Sequence, residues 1–289
     1  MRIYGYVSWS IVVVDQPVLH PTSQATLSLL IKDLPQALLL TGPVGVGLST
    51  TAQYIASSVG DVHLTVLPEK DEKVDMNKGV ISVDSIRRLY DQTRTVQGGK
   101  LVIVIDYAER MGHQAQNAFL KLLEEPGRGI HFILATHTPS KLLSTVVSRT
   151  RTFDLQPLTH TQTESFLDIL QIKDAKKRTQ LLFMAEGLPA EIVRLTRDDS
   201  YFDARAEIVR HARDLLQASV YKKLIIAQQY KDDRDGALLL LTNAANILKK
   251  SISEKPQSNL IAQIDSLLYA YQQIQANGNI RLCLARLVV

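Results

Sequence analysis

The sequence predicts an α/β fold in its first half, a parallel sheet flanked by helices, followed by two all-helical parts. Three observations predict it. Short, wholly apolar runs alternate with amphipathic segments as far as about Asp154, the order that builds a parallel sheet covered on both faces. A glycine-rich stretch, TGPVGVGLST (Thr41–Thr50), follows the first of those runs. Beyond Asp154 the runs stop, and apolar residues fall at helical spacing to the last residue.

The elements follow in order. Gln24 to Ile31 has the pattern of a short amphipathic helix, and ALLLTG (Ala37–Gly42) is a buried strand broken by glycine. STTAQYIASSVG reads as a helix that stops at Gly60. The polar stretch PEKDEKVDMNKG has no period and gives way to ISVDSIRRLYDQTRT, whose Ile86, Leu89 and Tyr90 share a helical face. KLVIVIDYAER supplies a strand, Leu101–Ile105, ending at Asp106. In HQAQNAFLKLLEEPG, Ala115, Ala118, Phe119 and Leu122 are helically spaced, and Pro126 with Gly127 ends the run. GIHFILATHTPS is another buried strand.

PLTHTQTESFLDIL opens with two possible capping boxes, Thr159 with Gln162 and Thr161 with Glu164, and EGLPAEIVRL is a helix break and restart. The remaining segments, from AEIVRHARDLLQ to IRLCLARLVV, carry the wide apolar face that a bundle or an oligomer collar needs. The expected domains are therefore 1–154, 155–199 and 200–289.

A chain of 289 residues, 45% hydrophobic and 21% charged, suits a globular protein of two or three units. Its net charge of +4 is too mild to indicate an anionic polymer partner by itself. The single Cys283 excludes an internal disulfide and a Cys-rich zinc ribbon, and reads as a small core hydrophobe. MRIYGYVSWSIVVVD lacks the basic flank and cleavage site of a leader, and no stretch reaches the ~18 uncharged apolar residues of a membrane span. A cytoplasmic protein without a membrane partner is expected.

TGPVGVGLST has the frame of a phosphate-binding loop, G-x-x-x-x-G-K-[ST], with Leu48 at the lysine position. Gly42, Gly45 and Gly47 can supply the backbone cradle, with Ser49 and Thr50 opening the helix and Ser49 able to meet a metal ion. Leu48 cannot reach a phosphate as a charge. Asp106, at a strand end, matches the acid that holds Mg²⁺ in such sites, but the position of the second, water-orienting acid holds Tyr107, a poor base. Glu109 is expected to point elsewhere. A strand, a glycine turn and a helix can also be a purely structural junction. His113 and His137 lack paired metal-ligand spacing and read as helix-cap or solvent-facing residues, and KDAKKR (Lys173–Arg178) reads as a solvated face.

The glycine loop, then VIDYAERMGHQAQNAFLKLLEEP, then FILATHTPSKLLSTVVSRT resembles the bacterial DNA polymerase III clamp-loader branch of the AAA+ proteins, and within it the delta-prime subunits. The resemblance runs from about Val18 onward. AQNAFLKLLEEP and ATHTPSKLLSTVVSR are specific to that family, whereas the loop alone is not.

The resemblance implies a P-loop AAA+ domain, a small helical lid and a helical collar. It implies an ATPase-inactive subunit that braces a hetero-oligomer of gamma/tau motor subunits and delta, which loads a sliding clamp onto primer-template DNA. It also implies that Arg149, in Ser148-Arg149-Thr150, is an arginine finger for a neighbour's ATP site, although Thr150 replaces the family's cysteine. Gly42, Gly45, Gly47, Ser49, Thr50, Asp106 and Thr136, the last at the first sensor position, would form a vestigial nucleotide site needing no cofactor, with ATP and Mg²⁺ weakly held or absent. The four-cysteine zinc module of related chains has no counterpart between Gly60 and Gly79, so no zinc is expected, and Ala190 stands where motor subunits carry a sensor arginine. Two rivals stay open: an active AAA+ ATPase using Lys100 or Arg194 as its cation, and a nucleic-acid-binding adaptor outside any loader.

Overall fold

The chain alternates strand and helix from Pro21 to Asp154 and is helical thereafter in a computed structural model, which describes residues 16–287 apart from 72, 77, 96–98 and 255–257. The opening segment MRIYGYVSWSIVVVD lies outside the described residues. Two compact units result, Met1–Lys173 with Ala185–Ile192, and Asp174–Met184 with Val193–Val289. The stretch 155–199, expected as a separate lid, is shared between them.

In the first unit the order is α1 (Pro21–Lys32), β1 (Ala37–Thr41), α2 (Leu48–Val59), β2 (Val62–Val66), the short strands β3 (Glu69–Lys70) and β4 (Lys73–Val74), and α3 (Val83–Thr95). Then come β5 (Leu101–Ile105), α4 (His113–Glu124), β6 (Ile130–Thr136), α5 (Ser144–Val147), β7 (Arg151–Asp154) and α6 (His160–Ile169). The main sheet is parallel, in the order β2-β5-β6-β1-β7.

Its three central strands are buried on both faces, because side chains alternate between two cores. Leu38, Leu40, Val102, Val104 and Ile133 join Leu27, Leu30, Ala52 and Ile55 of α1 and α2. Leu39, Ile103, Ile105, Phe132 and Leu134 join Ile86, Leu89, Phe119 and Leu122 of α3 and α4. Phe119 and Phe132 meet edge to face, with centroids 5.2 Å apart.

The structure adds to the main sheet two strands not read from the sequence, β2 and β7, both at its edges, and places the short pair β3 and β4 in the polar stretch that showed no period. VHLTV and RTFD are short and half polar, so they read as loop until a neighbouring strand supplies their hydrogen bonds. Of the two possible capping boxes only one forms: Thr159 caps α6 and Gln162 reaches back to it, while Thr161 lies inside the helix.

The second unit takes most of α7 (Ala175–Ala185) and the later part of α8 (Pro189–Arg197), then α9 (Asp199–Gln217), α10 (Val220–Gln229), α11 (Arg234–Glu254), α12 (Ser258–Gln275) and α13 (Ile280–Ala285). Its core joins Ala212 and Leu215, Ile226, Leu240, Leu241 and Ala244, Ile274 and Leu284, with Cys283 partly buried against it. Tyr230, 6% exposed, lies 2.9 Å through its hydroxyl from His211 Nδ1. Burial, with Glu207 and Asp233 nearby, raises the phenol from 10.0 to about 12. Among the described residues, no helix is long and apolar enough to cross a membrane.

Candidate functional site

The register brings the sequence-singled residues to one edge of the sheet. Thr41 of β1 lies opposite Thr136 of β6, and Ile105 opposite Leu134, so the glycine loop, Asp106 and Thr136 all lie at the carboxyl ends of parallel strands. Open α/β sheets bind ligands at this edge.

The loop leaves β1 through Gly42, at φ 154°, where a Cβ would come within 2.8 Å of the Leu155 carbonyl oxygen and 2.9 Å of Val46 Cγ1. It enters α2 through Gly47, a left-handed N-cap. The first amide bonded back into the helix is that of Thr51, to Gly47, so the amides ahead of it have no helical acceptor. These are the groups that a phosphate cradle uses. Leu48 is 2% exposed and belongs to the apolar core beneath α2, while Ser49 is partly buried and Thr50 exposed.

The loop is also held from above by the start of α8, whose first turn belongs to this unit. The Ala190 amide donates to the Gly45 carbonyl at 2.9 Å, and Leu188 lies against Gly45 and the apolar core. The residue at the sensor-arginine position thus meets the loop through its backbone.

Asp106 is 6% exposed, and burial raises its carboxyl above the ordinary value. Hydrogen bonds from the Ser49 hydroxyl and the Tyr107 amide, the latter 3.0 Å long, oppose that rise. Tyr107 takes a left-handed conformation, and burial raises its phenol too, farther from any use as a base near neutral pH. Glu109, expected to point elsewhere, lies close enough that its charge pushes both groups upward, and its Oε2 is buried without a hydrogen-bond partner among the described residues. It lies in a three-residue turn, Ala108–Arg110, just past the strand end.

His137 is neither a cap nor solvent-facing: its Nδ1–H donates to the Gly42 carbonyl at 2.9 Å, and its ring meets the edge of Tyr107. His113 lies at the start of α4 with Nδ1 3.0 Å from the Asn117 amide. Among the described residues no group of three or more His, Cys, Asp or Glu could hold a metal ion.

Arg149 lies at the other edge of the sheet. It precedes β7, whose first residue, Arg151, lies opposite Leu38 near the start of β1. Strand rise alone separates that edge from the loop by roughly 10 Å. The guanidinium, 38% exposed, donates through Nη1 to the Thr145 carbonyl at 3.0 Å and through Nη2 to Glu124 Oε1 at 2.8 Å. Thr150, at the family's cysteine position, bonds back to the Val147 carbonyl.

The segment leading to Arg149 is fixed by a residue that no sequence signal marks. Gln116, 3% exposed in α4, donates to the carbonyls of Met111 and Lys141, both at 3.0 Å, and accepts from the Leu143 amide at 2.7 Å. A glutamine inside AQNAFLKLL carries no periodicity. Only its burial among backbone groups distinguishes it.

One of the two proposed replacement cations lies away from the loop. Lys100 precedes β5 at the edge opposite the loop, its amide bonded to Asp61. Arg194, in the second unit, stacks on Tyr201 with its guanidinium carbon 3.8 Å from the ring centroid, near Asp198.

Residues 61–159 match a family model described as DNA polymerase III, delta subunit. The chain is 26% identical over 221 residues to the DNA polymerase III subunit delta' of Bacillus subtilis, covering 67% of this chain and 66% of that protein. It is 30% identical over 171 residues to the Pseudomonas aeruginosa subunit delta', covering 58% and 50%. The matches thus span somewhat less than two thirds, and half, of those two relatives. A solved Thermotoga maritima protein related to the DNA polymerase III gamma subunit shares the fold, with a TM-score of 0.50 and 17% identity over 92% of this chain and 97% of that one. The chain is thus similar to the delta' subunits of bacterial DNA polymerase III and shares the AAA+ fold.

Proposed function

We propose that this chain acts within a clamp loader as a subunit that hydrolyses no ATP itself and supplies Arg149 to the ATP site of a neighbouring motor subunit. The observation that carries the reading is the placement of Arg149, exposed at the sheet edge opposite its own glycine loop, which favours a role outside its own site. The chain's own loop supports the other half. Its lysine position is filled by a core leucine, its sensor position by an alanine, and the base position by a phenol raised further by burial. The residues present fit a phosphate cradle but not the cation and base that hydrolysis of MgATP requires, so no step is derived through this site.

In the neighbour's site, water oxygen bonds to the γ-phosphorus while the bond to the β–γ bridging oxygen breaks and its electron pair leaves with ADP. The guanidinium takes no proton. It places fixed positive charge and N–H donors on oxygens whose charge redistributes in the transition state. The partners are gamma/tau motor subunits and delta, with the sliding clamp and primer-template DNA engaged through the assembly, in the cytoplasm.

Arg149→Ala, in a loader reconstituted with the same organism's tau and delta subunits, should lower DNA- and clamp-stimulated ATPase by about 10³-fold or more, with assembly intact by size-exclusion chromatography. A rate equal to wild type rejects the finger. The rival, an active ATPase, would draw on Glu109, whose charge pushes the Asp106 carboxyl upward. Steady ATP turnover by the isolated chain, abolished by Asp106→Asn, would establish that rival instead.

A further inference from the structure

We infer that Glu124 is a positioning residue for Arg149, which holds the guanidinium in one orientation at the subunit surface before any phosphate arrives. The inference rests on the role proposed for Arg149 and adds to it a second residue, from a different element. Arg149 follows a helix of four residues and has a long, flexible side chain. Left alone, such a side chain samples many rotamers, and each must be surrendered when a phosphate is engaged.

Two contacts at opposite tips of the fork remove that freedom. The Thr145 carbonyl, in the last turn of α5, accepts from Nη1 at 3.0 Å, a favourable place for a cation at a helix C-terminus. The Glu124 carboxylate, in the last turn of α4, accepts from Nη2 at 2.8 Å, a length typical of a charge-assisted bond. The two anchors come from elements that Gln116 ties together through Lys141 and Leu143, so the orientation is referred to the sheet and not to a loose turn. Guanidinium carries five donors in a rigid plane, and these two bonds leave three to serve a phosphate. With Glu124 partly exposed, 51%, the pair adds little to folding stability, so its value lies in orientation.

The closing experiment is a double-mutant cycle on the reconstituted loader with wild-type chain, Glu124→Ala, Arg149→Ala and the double variant, reading kcat and KM for ATP under DNA and clamp stimulation. Glu124→Ala should lower kcat about threefold to tenfold with KM unchanged. Glu124→Gln, which keeps an acceptor oxygen at the same reach, should restore kcat to within about twofold. In the Arg149→Ala background, Glu124→Ala should have no further effect, because it acts only through that guanidinium. A wild-type kcat for Glu124→Ala, a raised one, or an equal loss in both backgrounds overturns the inference. If Arg149→Ala itself is wild type, the finger falls and the positioning role with it. A thermal melt of each variant, expected within ~2 °C of wild type, separates lost orientation from lost fold.

Discussion

Replacing Gln116 with leucine tests how the segment between β6 and β7 is held. The substitution preserves approximate volume and removes three hydrogen bonds, leaving the Leu143 amide and the Met111 and Lys141 carbonyls without that partner. A bond of this kind contributes about 1 kcal/mol, and a buried group left unpaired costs about 1–3 kcal/mol. The Met111 contact is fully buried, whereas Lys141 is exposed and its carbonyl can regain water. The expected loss is therefore about 2–4 kcal/mol, a large share of an ordinary domain's stability.

Urea unfolding at constant slope measures it, with the first unit's transition moving to lower midpoint and the second unit's unchanged. Hydrogen exchange supplies a local readout, because the Leu143 amide loses its acceptor and should exchange at least tenfold faster. A loss below about 1 kcal/mol, or an unchanged Leu143 amide, would refute the reasoning that the side chain is the fastening.

Two further outcomes follow from other parts of the chain. The raised phenol of Tyr230 has a definite sign: below pH 10 it is neutral folded or unfolded, and between 10 and about 12 only the unfolded chain ionises, so stability falls as pH rises through that window. Tyr230→Phe should lack this alkaline loss, and parallel pH profiles for the two proteins would contradict it. Gly42→Ala should cost about 2–4 kcal/mol, because it combines positive φ with contacts under 3 Å, whereas Gly47→Ala, with φ 97° and nothing within 4 Å, should cost only about 1–2 kcal/mol. Equal losses in denaturant unfolding would show that strain, not crowding, governs the loop.

The central strands were legible because burial on both faces leaves unbroken apolar runs such as LVIVI, a signal that needs no partner to be seen. β2 and β7 were not, since an edge strand is defined by the neighbour it bonds to, and RTFD buries only its Phe153. The glycine loop and Asp106 were found from the loop frame and the strand end, and Thr136 only through the family resemblance; the register explains why they converge. Glu109 sits in a strand-end turn of three residues, which no periodicity records, and its charge reaches Asp106 and Tyr107. Gln116 and Glu124 escaped notice because, Met111 apart, their partners are a backbone segment and a guanidinium 25 or more residues away in sequence.

The burial of Leu48 has a consequence for any attempt to install a lysine at this position. At 2% exposure it has become part of the hydrophobic interior of α2, so the position now answers to folding. A lysine restored there would either bury an ammonium or withdraw from the core and leave a void, and both outcomes destabilise the sheet on which the loop is mounted. A phosphate-binding lysine at this position would therefore need compensating changes in the residues beneath it, so a single-step repair of the loop costs the fold that carries it.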